Sequence, residues 1–237
     1  MTRWLRRLQN EVIDFFFPRS CIECGKVGDF ICPQCSGKLP RPIPPLCPRC
    51  GKPEPTGTFC HECWGKRNGL DSMRSVFIFD GTVRKAVHLL KYYNLHSISE
   101  CLGSYMAEYY QNNGLSGDIL VPVPLHESRI KERGYNQSLM LAAAISSRVD
   151  IPVEAEAITR IRNNRPQART GSVEERRKNM ENAFNHTGNA VNGLDVIVVD
   201  DVCTSGATLE ACASVLKAAG ARRVTGFTLA REIKKQE

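Results

Sequence analysis

An α/β domain built on a parallel sheet, preceded by a small metal-held module, is the fold class that this 237-residue sequence predicts. Three observations predict it. Four Cys-x-x-Cys pairs crowd into the stretch from Cys21 to Cys63. The stretches 118–149 and 194–220 each run from an apolar strand through a polar turn into a helix. Between the cysteines and the first of these stretches the composition changes near Leu70 from proline-rich to globular. The expected organisation is therefore an N-terminal helix over 1–18, a cysteine module over 19–66 and an α/β domain over 70–237.

The length suits one ordinary domain plus a small one, or two modest domains. Hydrophobic residues make up 42% and charged residues 24%, the balance of a soluble globular protein. The net charge of +7 permits an anionic ligand or nucleic acid without demanding either. No apolar run reaches the length of a membrane span, so no integral membrane segment is expected.

Within residues 1–18, Trp4, Leu5, Leu8, Val12, Phe15 and Phe16 fall largely on one helical face. Asn10, Glu11 and Asp14 interrupt the apolar core that a secretory signal needs. The helix either packs on the chain or lies on a membrane surface.

The pairs Cys21/Cys24, Cys32/Cys35, Cys47/Cys50 and Cys60/Cys63 have the spacing that aims two thiolates at one tetrahedral ion. Gly25 and Gly51 follow the second cysteine of their pairs, where a knuckle turn favours a residue without a Cβ. Pro40, Pro42, Pro44, Pro45 and Pro48 leave this segment too little apolar bulk for a core, so metal must replace one. The reading is two structural Zn2+ ions, paired sequentially as 21/24/32/35 and 47/50/60/63. A disulfide framework is the rival. No export signal supports it, and Cys101, Cys203 and Cys212 stand unpaired further on. A reducing cytoplasm is the expected setting.

Beyond Leu70, Ser75–Phe79 predicts a strand. Val83–Lys91 and Ile98–Gln111 predict helices. Asp118–Val123 predicts a strand, followed by a cationic polar turn holding His126, Arg129, Lys131, Arg133 and Asn136. A helix over 136–149 follows, with Leu139, Leu141, Ala142, Ala143 and Ile145 as its buried face. The turn's cations suit a pyrophosphate; a solvated charged turn is the plain alternative. Ala157–Phe184 carries a local excess of four positive charges and few large apolar residues. It reads either as a lid over a polyphosphate or as a basic surface loop.

The stretch from Leu194 to Ala218 organises the rest. Val196–Val199 is β-branched without interruption, as in a strand buried on both faces, and Asp200 and Asp201 stand at its carboxyl end. Thr204, Ser205, Gly206, Ala207 and Thr208 form a small hydroxyl-rich turn. Leu209, Ala213, Val215, Leu216 and Ala219 then recur at helical spacing, and Gly220 stops the helix. Backbone N–H groups of such a turn, with the helix N-terminus behind them, make an anion cradle. Adjacent acids accept hydrogen bonds from a diol. Together they suit a ribose 5-phosphate; an ordinary strand-turn-helix with exposed aspartates is the plain alternative.

The string VIVVDDVCTSGAT resembles the phosphoribosyl pyrophosphate motif of type I phosphoribosyltransferases. The resemblance implies a type I phosphoribosyltransferase-like parallel sheet flanked by helices, with Asp200 and Asp201 on the ribose hydroxyls and Thr204–Thr208 on the 5-phosphate. Thr204 stands where members acting on 6-oxopurines carry an aspartate, which disfavours hypoxanthine and guanine. The run Val121–Ser138 (VPVPLHESRIKERGYNQS), with Arg160, Gln167, Arg176, Asn179, Ala183 and Phe184, resembles the ComF family of competence-associated proteins. Members join a double zinc ribbon to a phosphoribosyltransferase domain. The resemblance implies phosphoribosyl pyrophosphate with Mg2+ as ligand, and Pro124, Leu125, His126 and Arg129 on its pyrophosphate. It also implies a part in the uptake or processing of single-stranded DNA, with DNA-processing proteins as partners. Two hypotheses follow. One is a transferase with an unnamed acceptor, nucleotide salvage included. The other is a ligand-sensing module that contacts DNA through its zinc ribbons or its arginine-rich segment.

Overall fold

Four parallel strands form the sheet that carries the larger part of the chain. The computed structural model describes residues 19–65, 69–92, 96–162 and 183–233. The expected N-terminal helix and residues 163–182 of the arginine-rich segment lie outside the described residues. The chain divides into two units, Met1–Leu39 and Pro40–Glu237. The division falls between the first four and the last four cysteines of the Cys-x-x-Cys series.

In the first unit, a bridge between Ser20 and Val27 closes the opening knuckle, and a single turn of helix, α1 (Pro33–Ser36), carries Cys35. Phe30, Ile31 and Leu39 are buried, a small apolar complement for so short a chain.

In the second unit the strands are β1 (Ser72–Ile78), β2 (Ile119–Pro122), β5 (Asp195–Cys203) and β6 (Arg223–Arg231). A short antiparallel pair, β3 (Ile158–Arg160) and β4 (Phe184–His186), stands apart. The sheet order is β1-β6-β5-β2, all neighbours parallel, and Leu120 bridges Val153 beyond β2. Register pairs Val196 with both Ile119 and Val224, so β5 is flanked by apolar strands and is buried nearly throughout. That double burial is why its sequence shows no alternation.

The helices are α2 (Gly81–Tyr92), α3 (His96–Asn112), α4 (Glu127–Arg133), α5 (Gln137–Val149) and α6 (Ala207–Ala218). Helices α3 and α5 pack closely enough that a Cβ on Gly103 would come within 2.4 Å of the Ala144 Cβ. Leu209, Cys212, Ala213 and Leu216 of α6 share a core cluster with Val196, Val198, Val121 and Phe184. After β2 the chain moves outward towards Val153, whereas after β5 it crosses inward to β6. The carboxyl ends of β2 and β5 therefore flank the topological switch point, where open α/β sheets place their ligands.

Two local readings are corrected and one is sharpened. The polar turn after β2 is mostly helical: Glu127–Arg133 forms α4, capped by the His126 side chain and ended by Gly134 at φ 79°. The buried face of α5 uses Gln137, Ser138 and Ala144 with Leu141, Ala142 and Ile145, so Ala143 falls outside it and Leu139 is 36% exposed. Strand β5 runs on through Cys203, so Asp200 and Asp201 lie within its carboxyl-terminal part and two further residues follow them in the strand.

Candidate functional site

The carboxyl end of β5 brings Asp200, Asp201 and the turn Thr204–Thr208 to the switch point. Adjacent residues of an extended strand project to opposite sides, and the two aspartates have different partners accordingly. Asp200 Oδ1 accepts from the Ser138 hydroxyl at 2.9 Å and from the Asp201 N–H at 2.9 Å. Asp201 Oδ2 pairs with the Lys91 ammonium at 2.5 Å, and its Oδ1 accepts from the Val202 N–H at 2.8 Å. Both carboxylates are buried, at 9% and 3% exposure. Burial, then the neighbouring Asp201 charge, pushes Asp200 up to about 7, against the pull of Lys91. The pair is a desolvated acidic centre balanced by one lysine.

Past Cys203 the turn is polar and open, with Thr204 and Ser205 exposed. Gly206 takes φ 82° and caps α6 without any side-chain cap, so the first N–H groups of α6 have no side-chain acceptor from it. That left-handed conformation favours glycine by about 1–2 kcal/mol over a residue with a Cβ. Below it the Cys212 thiol is fully buried and pushed well up by desolvation, which keeps it neutral.

Opposite, His126 opens α4, its Nδ1 accepting from the Ser128 N–H at 3.2 Å. Arg129 pairs with Glu132 at 2.9 Å on the same helix. Asn136 caps α5 through Oδ1 and donates from Nδ2 to the Val123 carbonyl at 3.0 Å, which ties β2's end to the helix. Tyr135, 9% exposed, donates its hydroxyl to the Leu90 carbonyl. Arg133 bonds Gln137 at 3.0 Å and lies over the Tyr92 ring at 5.1 Å. The segment 133–138 thus holds the acidic centre from both sides: Ser138 reaches Asp200, while Tyr135 and Arg133 fix the helix end that presents Lys91 to Asp201. Arg160 on β3 belongs to the same region. Burial lowers its pKa, while the negative potential of Asp200 opposes that shift. Lys91 and Ser138 were not among the residues expected at the site. Ser138 ends the RGYNQS string, but nothing local marks Lys91, which closes a helix 110 residues before its partner.

Both cysteine quartets assemble in the sequential pairing. Ligand atoms of Cys21, Cys24, Cys32 and Cys35 lie within 4.8 Å of one another, as do those of Cys47, Cys50, Cys60 and Cys63. The two knuckles repeat each other bond for bond. Cys21 N–H donates to Lys26 and Gly25 N–H to Cys21, as Cys47 does to Lys52 and Gly51 to Cys47. Gly25 and Gly51 take φ 74° and 68°. The Cys32 N–H points at the Cys21 sulfur and the Cys60 N–H at the Cys47 sulfur, each at 3.4 Å. Burial raises the Cys21 and Cys47 thiols, but the amides aimed at them prevail and bring them down to about 6 and about 7. Of their quartet partners, Cys35 is pushed up to about 12 by its hydrogen bond with Cys32 and then by burial, and Cys50 up to about 11 by burial. Four thiols this close shed all their protons only around a cation, and the all-sulfur donor set with its amide support fits Zn2+.

Residues 12–64 match the double zinc ribbon domain family, and residues 135–237 match the phosphoribosyl transferase domain family. Competence protein ComFC of Bacillus subtilis (strain 168) is 29% identical over 217 residues, 87% of this chain and 86% of that protein. DNA utilization protein YhgH of Salmonella typhimurium (strain LT2) is 30% identical over 209 residues, 86% of this chain and 91% of that protein. Among solved structures, glutamine phosphoribosylpyrophosphate amidotransferase from B. subtilis, complexed with ADP and GMP, overlays 56% of this chain and 26% of its own at 23% identity and TM-score 0.39. No helix among the described residues is long and apolar enough to cross a membrane.

Proposed function

This chain belongs to the ComF family of competence proteins, and from that premise we propose that it binds phosphoribosyl pyrophosphate with Mg2+ at the switch point. The observation that carries the reading is the pairing of a buried acidic centre, Asp200 and Asp201, with an uncapped helix start at Gly206 three residues beyond β5. The turn's N–H groups and hydroxyls from Thr204 to Thr208 take the 5-phosphate. Asp200 and Asp201 take the ribose diol, with Lys91 holding the charge of Asp201 until the ligand arrives. Pro124, Leu125, His126 and Arg129 line the pyrophosphate side. Mg2+ supplies neutralisation of the pyrophosphate when bound. The two cysteine quartets hold structural Zn2+.

The relatives' names extend the reading to DNA. We assign this chain a part in the uptake or processing of single-stranded DNA, alongside DNA-processing proteins. Phe59 and Trp64, 48% and 73% exposed in the second cysteine segment, support a stacking contact with unpaired bases. None of the eleven cysteines is joined in a disulfide, which supports a cytoplasmic setting. Single-strand affinity should fall steeply with added salt as phosphate contacts release counterions. Salt-insensitive or absent DNA binding would end this part of the reading.

Titration calorimetry with phosphoribosyl pyrophosphate and Mg2+ tests the ligand. Saturable heat is expected from the native chain and none from the double variant Asp200→Asn, Asp201→Asn. A second reading, sensing without transfer, is favoured by the lack of any carboxylate between Thr204 and Thr208 to serve as a base. Pyrophosphate release over a panel of bases and nucleotides separates the two.

A further inference from the structure

The second cysteine knuckle, Pro48–Gly51, is fastened to the sheet at several points. The Met73 N–H donates to the Arg49 carbonyl at 2.6 Å, and Arg74 Nη1 donates to the Pro48 carbonyl at 2.9 Å. Gly51 sits so close that a Cβ there would meet the Met73 carbonyl oxygen at 2.6 Å. Two of its contacts lead to the two ends of the phosphate turn. Arg231 donates to the Cys50 carbonyl. Arg231 is also the register partner of Cys203, the residue immediately before Thr204, and the Glu232 N–H donates to the Cys203 carbonyl at 2.8 Å. On the other side, Arg49 lies 3.9 Å from Glu210, whose N–H donates to the Gly206 carbonyl in the first turn of α6.

Arg231 is the largest fully buried side chain, 1% exposed, and among the described residues no carboxylate lies within ion-pair distance of it. A buried, unbalanced guanidinium is costly. A tetrathiolate zinc centre is net anionic. The quartet whose Cys50 carbonyl receives Arg231 would supply the missing negative charge. The Cys203 thiol, buried and pushed up to about 11, feels both the Arg231 charge and Cys50, which places all three in one electrostatic neighbourhood.

We propose that the second cysteine quartet is a brace for the phosphate turn, with Arg231 and Arg49 as positioning residues that fix the turn's entry and exit against the metal knuckle. The proposal deepens the ligand reading above and rests on it for its functional consequence. Metal occupancy at Cys47, Cys50, Cys60 and Cys63 then sets how well ordered residues 203–210 are before any ligand arrives. By linkage, phosphoribosyl pyrophosphate raises the metal affinity of this cluster by the same factor that metal strengthens its binding.

Hydrogen–deuterium exchange on the full chain, loaded with zinc, tests this. Arg231→Met should keep both metals yet speed exchange of residues 202–210 about tenfold, the loss expected for a charged hydrogen bond. Helices α3 and α5 should stay protected. Cys60→Ser with Cys63→Ser should give the same local pattern, and Arg231→Lys, which keeps the charge without the fork, should recover part of it. Unchanged exchange at 202–210 in both Arg231→Met and the double cysteine variant overturns the proposal. If Arg231→Met loses protection everywhere, the native chain partly stripped by a chelator decides on the same peptides. The absence of heat with phosphoribosyl pyrophosphate defeats the ligand reading, while the exchange data still judge the brace.

Discussion

Two strand-to-helix passages lie side by side at the switch point and handle their polar residues in opposite ways. After β5 the chain turns through Thr204, Ser205 and Gly206, and only Gly206's backbone marks the helix start. After β2 it spends seven residues on α4 and then caps α5 with Asn136, whose side chain bonds Ser138, Leu139 and Val123. The first passage leaves its N–H groups open for a ligand apart from that of Ala207, which donates to the Ser205 hydroxyl oxygen at 3.4 Å; the second spends Asn136 and Ser138 on holding the first in place. Substitutions should therefore separate cleanly. Those in the β5 passage should cost ligand affinity, and those at the Asn136 cap of the β2 passage should cost stability before anything else.

The largest effect should come from Asp200→Asn with Asp201→Asn, which removes two charged acceptors. Phosphoribosyl pyrophosphate affinity should drop at least about a hundredfold by calorimetry, while thermal stability holds or rises as the buried repulsion is relieved. An equal loss of fold would erase the contrast between the passages. Next, Asn136→Ala removes a helix cap and the link to the Val123 carbonyl, about 2 kcal/mol in a denaturant titration. A stability change near zero would place Asn136 with the ligand rather than the scaffold.

The pH dependence sharpens the comparison further. Asp200 in the folded chain titrates near 7 against an ordinary value of 3.8, so the fold binds the extra proton between those limits. The stability that neutral Asp200 contributes is complete below about 4 and is lost as pH rises through about 7. Denaturation midpoints should fall across that window in the native chain, and Asp200→Asn should flatten the fall. The smallest effect belongs to Arg129→Ala. Its exposed pairing with Glu132 is worth at most about 0.5 kcal/mol, so stability should barely move. Phosphoribosyl pyrophosphate affinity should fall in the same variant, and an unchanged affinity would take Arg129 off the pyrophosphate side.

The same contrast explains what was legible in the sequence. Val196–Val199, the small turn and Gly220 announce themselves because local conformation and ligand geometry demand the same residue types in a row. The cysteine quartets were legible for the same reason: spacing fixes the knuckle, and the knuckle fixes the sulfurs. Helix α4 was not, because Glu-Ser-Arg-Ile-Lys-Glu-Arg has a single apolar residue, Ile130, and that residue is 42% exposed. Its ends are held by His126 and Gly134 instead of by a buried face. Tyr135 reads as part of a charged turn, yet it is buried through a bond to Leu90, 45 residues away. Ser138 reaches the site through the sheet order, which places β2 beside β5, and Lys91 through the helix that follows β1; neither placement leaves a trace in local pattern.

A crystal structure of the chain with phosphoribosyl pyrophosphate and Mg2+ tests the central claim most directly. The account predicts the 5-phosphate within hydrogen-bond distance of the N–H groups of residues 205–208, and the ribose hydroxyls on Asp200 and Asp201. A ligand bound elsewhere, or an empty turn at saturating concentration, would contradict it.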